Sequence, residues 1–272
     1  MNIKESVDII KTYVEMEREP VGVKFFFDEE SFKACDMPMR DSKIPYCNAV
    51  KKASIGEGTK LVAAHQGCPN GCNALNFQDT PDPIASGKGR FSKGIYDSLE
   101  VSKGISDEMD EGFMKQRPYG IAVFPLKEFT IEPDVVLIVG IPYIVMRFIE
   151  GYAYKHGYTN NFKSCGLQAV CHDMTTYPYN TDDINITMLC PGTRLCCSWD
   201  ESEMGMGIPW SKWYDTCEGI KATTNPFVRN AGKKTIAKKL EERGKSADDI
   251  IMNQNYDDKT YTGGKIDISE YK

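Results

Sequence analysis

The sequence predicts an α+β fold in which a mixed sheet carries packed helices. Two observations favour this class. Short apolar runs that are typical of buried strands alternate with segments whose apolar residues lie at helical spacing. The connections between these segments are irregular in length, which favours α+β over a regular βαβ repeat. The composition, 41% hydrophobic and 26% charged over 272 residues, is that of an ordinary globular protein.

The first predicted element is a helix, because Ile3, Val7 and Ile10 lie at helical spacing and Pro20 follows to end it. Pro45 suits the first turn of a later helix. The predicted elements up to residue 118 are a helix over 3–17, a strand over 21–27, a helix over 45–54, a strand over 60–65, a turn over 67–73, a surface connection over 78–92, a helix over 92–103 and a loop over 104–118.

The two clearest strands come next, and the second, DVVLIVG, is nearly continuously apolar, as expected of a strand buried on both faces. The remaining predictions are strands over 120–126 and 134–140, a helix over 142–154, a short helix over 164–175, a strand over 184–190, a weak strand over 203–208 and a helix over 209–220.

Ile-Pro-aromatic triplets open three predicted helices, at 44–46, 141–143 and 208–210. They indicate either a repeated strand–turn–helix unit or only the common preference for Pro at a helix start. We predict one cysteine-rich domain over 1–225, with two similar halves at about 1–118 and 119–225 as the alternative. A basic helix over 231–243 and a mobile tail would complete the segment 226–272.

Several function classes are disfavoured. The net charge of −6 does not favour nucleic acid. The longest uncharged apolar stretch, 135–146, is too short to span a bilayer. The first twenty residues lack an apolar signal core, which predicts a cytoplasmic protein. The basic glycine turn over 87–90 is of a kind that usually binds nothing.

Ten cysteines are the unusual feature, against three histidines. Because the cytosol keeps thiols reduced, this excess favours thiolate-held metal, either zinc or an iron–sulfur cluster, over disulfides. About half of them are expected to be small buried hydrophobes, as free cysteines often are.

Two clusters lie in Gly/Pro turns. Cys68 and Cys72 are separated by three residues, and Gly71 would let backbone N–H groups face the sulfurs. The second cluster is Cys190-Pro-Gly followed by Cys196 and Cys197. There the turn at Gly192 would place free backbone amides beside the thiolate. Arg194 would lower the pKa of a neighbouring thiol or hold an anion. Buried packing is the alternative for both.

Cys47 opens a predicted helix, whose N-terminus is expected to lower the pKa of this thiol. Cys165 and Cys171 are six apart, a spacing that would place them on different helix faces, so one of them is expected to join a site. His172 is either a ligand or, as for most lone histidines, a structural residue.

The order VGVKFF, PYCNAV, HQGCPNG, PDVVLIVGIPYIVMRFIEGYAY, AVCHD, LCPGTR and EMGMGIPW resembles an uncharacterised cysteine-containing family of anaerobic archaea and bacteria, domain of unknown function 169. The resemblance covers roughly residues 5–225. It implies that Cys47, Cys68, Cys171 and Cys190 are the recurring cysteines and that Cys72, Cys165, Cys196 and Cys197 are extras of this member.

The leading hypothesis is a [4Fe–4S] protein of an anaerobe that transfers electrons or reduces a small molecule. Its first ligand set is Cys47, Cys68, Cys171 and Cys190. Cys72, Cys196 and Cys197 are substitutes or ligands of a second cluster, and Arg194 offsets cluster charge. A structural-zinc module and an enzyme with one activated cysteine remain as alternatives. The expected partner is a redox protein or a small-molecule substrate. Binding to nucleic acid or to a membrane is not expected, and assembly into a homo-oligomer is an open alternative.

Overall fold

The computed structural model describes residues 1–160, 162–224 and 244, and within them six strands form one sheet. The strands, in chain order, are β1 Val21–Phe26, β2 Thr59–Val62, β3 Gly120–Pro125, β4 Val135–Gly140, β5 Asn185–Thr187 and β6 Met204–Pro209. Their order across the sheet is β2-β3-β1-β4-β6-β5. All the strand pairings are antiparallel.

Helices cover both faces of this sheet. The α-helices are α1 Ile3–Tyr13, α2 Glu29–Ala34, α3 Tyr46–Ala53, α4 Pro69–Ala74, α5 Asp82–Ala85, α6 Lys88–Phe91, α7 Leu99–Glu111, α8 Pro142–His156, α9 Tyr177–Thr181, α10 Pro191–Cys197 and α11 Trp210–Thr223. Short 3₁₀ turns span Ala63–His65 and Leu126–Glu128, and a π-helix spans Ala169–Thr176.

The two faces of the sheet carry different cores. On one face α1, α8 and α11 pack against alternate residues of β4 and β6, with Phe148 stacked on Trp213 at 6.1 Å between ring centroids. On the other face α3, α4 and the π-helix pack against β1, β3 and the opposite side of β4. The alternation of Val136 and Ile138 with Val135 and Leu137 divides β4 between the two cores, which is the period of two expected of a strand.

The π-helix lies directly on β6 because this strand carries glycine where the two backbones meet. A Cβ built on Gly207 would stand 1.9 Å from the carbonyl oxygen of Met174, so a side chain there would push the π-helix off the sheet. The glycines that make this approach possible also weaken the strand signal in the sequence.

The α+β class is confirmed, but the sheet is not mixed. Two isolated bridges outside the strands, Met39 with Lys60 and Ile44 with Gln66, are the parallel contacts within the described ranges. A strand buried on both faces gives the same apolar run in either direction, so the sequence could not distinguish the two kinds of sheet.

Most predicted elements have counterparts, and the strands at 120–126 and 134–140 are confirmed. Three predictions are wrong. The segment 104–118 is helical as far as Glu111, because α7 keeps its charged residues in solvent and buries Ser102, Ser106 and Met109. The predicted turn after Cys68 is the helix α4, and the segment after Cys190 is the helix α10, each with Pro in its first turn.

All three Ile-Pro-aromatic triplets open helices, namely α3, α8 and α11. The helices α8 and α11 each follow one of two paired strands, β4 and β6, so these two strand–turn–helix units lie side by side. The two suggested halves share one sheet, since β3 of the second pairs with β1 and β2 of the first.

The basic helix predicted over 231–243 and the tail lie outside the described residues, apart from Gly244. In the described part of the chain, we find no helix with the length and apolarity that a membrane crossing requires.

We expect Gly207→Ala to lower the free energy of unfolding by about 2 kcal/mol or more, because overpacking against a fixed backbone carbonyl cannot relax cheaply. The matched control is Gly104→Ala in α7, where a Cβ would meet nothing within 4 Å. That change should be neutral or stabilise by up to about 1 kcal/mol, since Ala favours a helix interior over Gly. Denaturant unfolding measures both, and equal effects would contradict the close approach.

Candidate thiol site

Four cysteines from four separate elements lie on the same face of the sheet. Cys47 is in the first turn of α3, and Cys171 lies in the π-helix. Cys68 and Cys190 are the N-cap residues of α4 and α10. Cys171 is buried, whereas Cys47, Cys68 and Cys190 are partly buried.

Gln66 joins the segments that carry Cys47 and Cys68. Its side-chain Oε1 accepts the backbone N–H of Tyr46 at 3.0 Å and that of Cys68 at 3.2 Å. The backbone of Ile44 adds two hydrogen bonds, accepting from Gly67 at 2.9 Å and donating to His65 at 2.8 Å. The start of α3 is therefore held against the start of α4 by buried neutral hydrogen bonds.

Two further hydrogen bonds attach the π-helix to these helices. The Tyr46 hydroxyl lies 2.9 Å from Thr175 Oγ1, deep in the core. Gln168, just before the π-helix, donates from Nε2 to the carbonyl of Asn70 in α4 at 3.0 Å. Because Cys171 lies between Gln168 and Thr175, both of its flanks are fixed relative to the other thiols.

The helix α10 is attached to α3 through Lys51. Its ammonium donates to the carbonyls of Cys197 at 2.7 Å and Ser198 at 2.6 Å. This contact brings the sulfurs of Cys47 and Cys197 to 3.3 Å, within hydrogen-bonding distance.

Burial and neighbouring sulfurs change how readily these thiols ionise. Burial raises the pKa of Cys171 well above its usual value, and the thiolate charges of Cys68 and Cys190 raise it further. The hydrogen bond with Cys197 and burial raise the pKa of Cys47, with smaller contributions from the charges of Cys171 and Cys68. Like charges in a poorly solvated place oppose ionisation, so these thiols resist deprotonation in the absence of a cation.

The expectation that the helix N-terminus lowers the Cys47 pKa is therefore wrong, because burial and neighbouring sulfurs outweigh the end of an eight-residue helix. The pKa of Cys197 is instead lowered, first by the hydrogen bond from Cys47 and then by the Lys51 ammonium. Within this pair the Cys197 sulfur carries the first negative charge.

One backbone N–H group donates to a cysteine sulfur of the site. The N–H of Thr193 donates to the side chain of Cys190, and the Thr193 hydroxyl accepts the N–H of Cys190 at 3.0 Å. A Cβ on Gly192 would stand 3.8 Å from the Cys190 sulfur, so this predicted glycine lies beside the thiol. N–H···S contacts of this kind are among those that set the potential of an iron–sulfur cluster.

Gly71 faces Gln66, whose Nε2 would lie 3.2 Å from a Cβ there. This amide nitrogen is buried and has no hydrogen-bond partner within the described residues. A buried donor without an acceptor is costly, so it is a position where a bound acceptor would be stabilised.

The remaining predicted residues are placed as follows. Cys72 lies buried in α4, where burial and then the Cys68 charge raise the pKa of its thiol. Cys196 is exposed on α10. Arg194 donates to the backbone carbonyls of Met188 at 2.8 Å and Glu203 at 3.0 Å, and also to that of Asp200. Its described hydrogen bonds therefore stabilise the α10 loop.

Three cysteines are outside the predicted ligand set. Cys165 precedes the π-helix, packs against the same core as Cys171 and lies 4.0 Å from the sulfur of Met109. Cys217 is buried on the opposite face of the sheet, and Cys35 packs beside β3. His172 pairs with Asp173 at 2.8 Å and packs edge-on against Phe113.

Sequence reasoning did not identify Gln66, Gln168 or the π-helix as parts of the site. A glutamine gives no local signal, because its role depends on which distant backbone groups reach it. A π-helix forms here around Gln168, a left-handed residue whose carbonyl accepts from His172 and Asp173. Such segments are frequent at functional sites.

Across the described ranges, no group of three or more His, Cys, Asp or Glu side chains is arranged to hold a metal ion. The thiols converge on one region without forming a closed set of ligands for a single ion.

We expect Gln66→Leu to lower the free energy of unfolding by about 1–3 kcal/mol, because two buried backbone N–H groups lose their acceptor. Gln78→Leu is the matched control, since Gln78 is partly buried near α4 and donates to Asn73 at 2.7 Å without accepting from the backbone. Its effect should stay below about 1 kcal/mol. Chemical denaturation measures the difference, and a larger loss at Gln78 would contradict the role of Gln66.

Mild oxidation of the reduced, metal-free protein by diamide should first form a disulfide between Cys47 and Cys197, because their sulfurs already lie 3.3 Å apart. Two thiols lose two electrons and two protons, and diamide takes them up as its hydrazine. Peptide mapping after blocking the remaining thiols identifies the product. First cross-linking of Cys165 or Cys217 would contradict this geometry.

Comparison with known proteins gives the family but no activity. An uncharacterized protein of Methanocaldococcus jannaschii, MJ0308, is 24% identical over 222 residues, covering 80% of this chain and 94% of that protein. No solved structure matches significantly. The family model for domain of unknown function 169, described as an uncharacterised ArCR family, matches residues 9–219, which include all four converging cysteines. The chain belongs to this family.

Proposed function

We propose that the protein is an iron–sulfur protein that holds a [4Fe–4S] cluster with Cys47, Cys68, Cys171 and Cys190 and uses it for electron transfer or for reduction of a small molecule. One observation carries the proposal. Four cysteines from four separate elements, namely the first turn of α3, the N-caps of α4 and α10 and the π-helix, lie on the same face of the sheet.

The electrostatics of the thiols call for a cation. Thiolates that repel one another stay protonated until a positive centre compensates their charges, and coordinated iron deprotonates a thiol outright. The pKa of Cys47 is raised by its hydrogen bond with Cys197 and by burial, and that of Cys171 by burial, and neighbouring thiolate charge raises both further. The same arrangement that is unfavourable for free thiolates is therefore favourable for thiolates bound to a cationic cluster.

A cluster suits these four residues better than a single zinc ion. Structural zinc draws its ligands onto one centre with Zn–S distances of about 2.3 Å. A cubane instead spreads its four cysteines over four irons, so the ligands only need to surround a common space.

Hydrogen-bond donors of the chain lie beside the proposed cluster ligands. The Thr193 N–H donates to the Cys190 sulfur, and the unpartnered Gln66 Nε2 lies in the segment between Cys47 and Cys68. Hydrogen bonds to sulfur raise a cluster's potential, and the cluster itself would supply one-electron chemistry. Partial exposure of Cys68 and Cys190 leaves one side open to a redox partner or a substrate.

Anaerobic purification, or reconstitution with ferrous iron and sulfide, should give a brown protein with close to four irons per chain. Cys→Ser variants at 47, 68, 171 and 190 should each lose most of the iron and the visible absorption. Cys35→Ser and Cys217→Ala are matched controls, because these residues pack in other cores than the four thiols, and they should retain both.

Full iron content in the Cys47 and Cys190 variants would overturn the ligand set. A colourless protein with one zinc per chain would replace the proposal with a structural-zinc module. A protein that stays colourless and metal-free after reconstitution would leave the enzyme with one reactive cysteine as the remaining interpretation.

A further inference from the structure

A cavity of about 370 Å³ lies between α5, α6 and α7, apart from the thiols. Its volume is within the range of small-molecule sites. Its lining mixes apolar side chains such as Phe113 with both signs of charge, namely Arg90, Lys103, Asp82, Asp107 and Asp110.

Arg90 is the unusual member of this lining. It is only 7% exposed, yet no carboxylate in the described ranges lies within ion-pair distance of its guanidinium. Its described partners are neutral, the Ser106 hydroxyl at 2.8 Å and the Gln168 amide oxygen at 2.5 Å. A buried charge without a counter-ion is costly, and guanidinium has five N–H donors, most of which these two bonds leave free.

The fold holds Arg90 under α7 by a close backbone contact. Gly87 has a φ of +74°, and a Cβ there would stand 2.6 Å from the backbone nitrogen of Lys103. The Ser102 hydroxyl donates to the carbonyl of Gly87 at 2.6 Å. The arginine is therefore placed at the cavity wall by the glycine turn that opens α6.

The charges of the lining select the ligand. Lys103 is paired with Asp107 and is half exposed, which leaves Arg90 as the cation available to an incoming anion. Asp82 and Asp110 stand on the same wall without an ion-pair partner in the described ranges. A phosphate would be repelled by these aspartates, whereas a zwitterion would place its anionic end on Arg90 and its cationic end on Asp82 or Asp110.

We propose that this cavity binds a small amino acid, with the carboxylate on Arg90 and the ammonium on the aspartates. Planar bidentate pairing makes arginine the preferred partner of a carboxylate. The site stands independently of the cluster. Gln168 nevertheless joins the two regions, because it accepts from Arg90 and donates to Asn70 between Cys68 and Cys72.

The test is saturation-transfer NMR of the full chain with each of the twenty standard L-amino acids at 10 mM, followed by calorimetry of any binder. The deaminated acid and the decarboxylated amine of that binder are then measured. Removing either the ammonium or the carboxylate should weaken binding at least about tenfold, because a charged group of the site then loses its partner. Inorganic phosphate at the same concentration should not compete.

Arg90→Gln should abolish binding, and Asp110→Asn, which leaves the buried core untouched, should weaken it about three- to tenfold through loss of the ammonium contact. Arg117→Gln is the control, an exposed arginine paired with Asp79 on the surface, and should bind as the parent does. The proposal is overturned if no amino acid binds, if the deaminated acid or phosphate binds equally well, or if binding survives Arg90→Gln together with Asp110→Asn.

Discussion

The site depends on the burial of several thiols together on one face of the sheet. Cys47 and Cys171 have raised pKa values because solvent is excluded and other sulfurs are near. The elements that carry them are joined by neutral hydrogen bonds, through Gln66 and the Tyr46–Thr175 pair. Because those bonds need no charge, the scaffold can bring the thiols together before any cation compensates them.

The two faces of the sheet differ, since one carries a large apolar core and the other carries the converging thiols. On the face of α1, α8 and α11, large apolar side chains such as Phe148 and Trp213 fill the core, and Cys217 is the cysteine among the described members of that core. The other face carries the converging thiols, the left-handed Gln168 and the π-helix, which fits because Gly207 leaves room for it. Irregular backbone is therefore supported by a regular sheet, an arrangement typical of functional sites.

The sequence predicts the strands and helix starts that local patterns determine. DVVLIVG reads as a buried strand, and each Ile-Pro-aromatic triplet opens a helix. Cysteine spacing indicates pairs such as Cys68 and Cys72, but the grouping across four elements came from the family resemblance. The Cys47 pKa was predicted in the wrong direction, because the burial and the neighbouring sulfurs that set it come from elements up to 150 residues away in sequence.

The cavity bears on the choice between an electron carrier and a reductase. A carrier needs an accessible cluster and a docking surface, whereas a reductase also needs a place to hold its substrate. The wall of the cavity and the thiol region share Gln168, which accepts from Arg90 on one side and donates to Asn70 in α4 on the other. A substrate on Arg90 would stand two hydrogen bonds from the helix that Cys68 caps. Under the proposed function, this arrangement is the one expected of a reductive enzyme, which needs a substrate site within reach of its cluster.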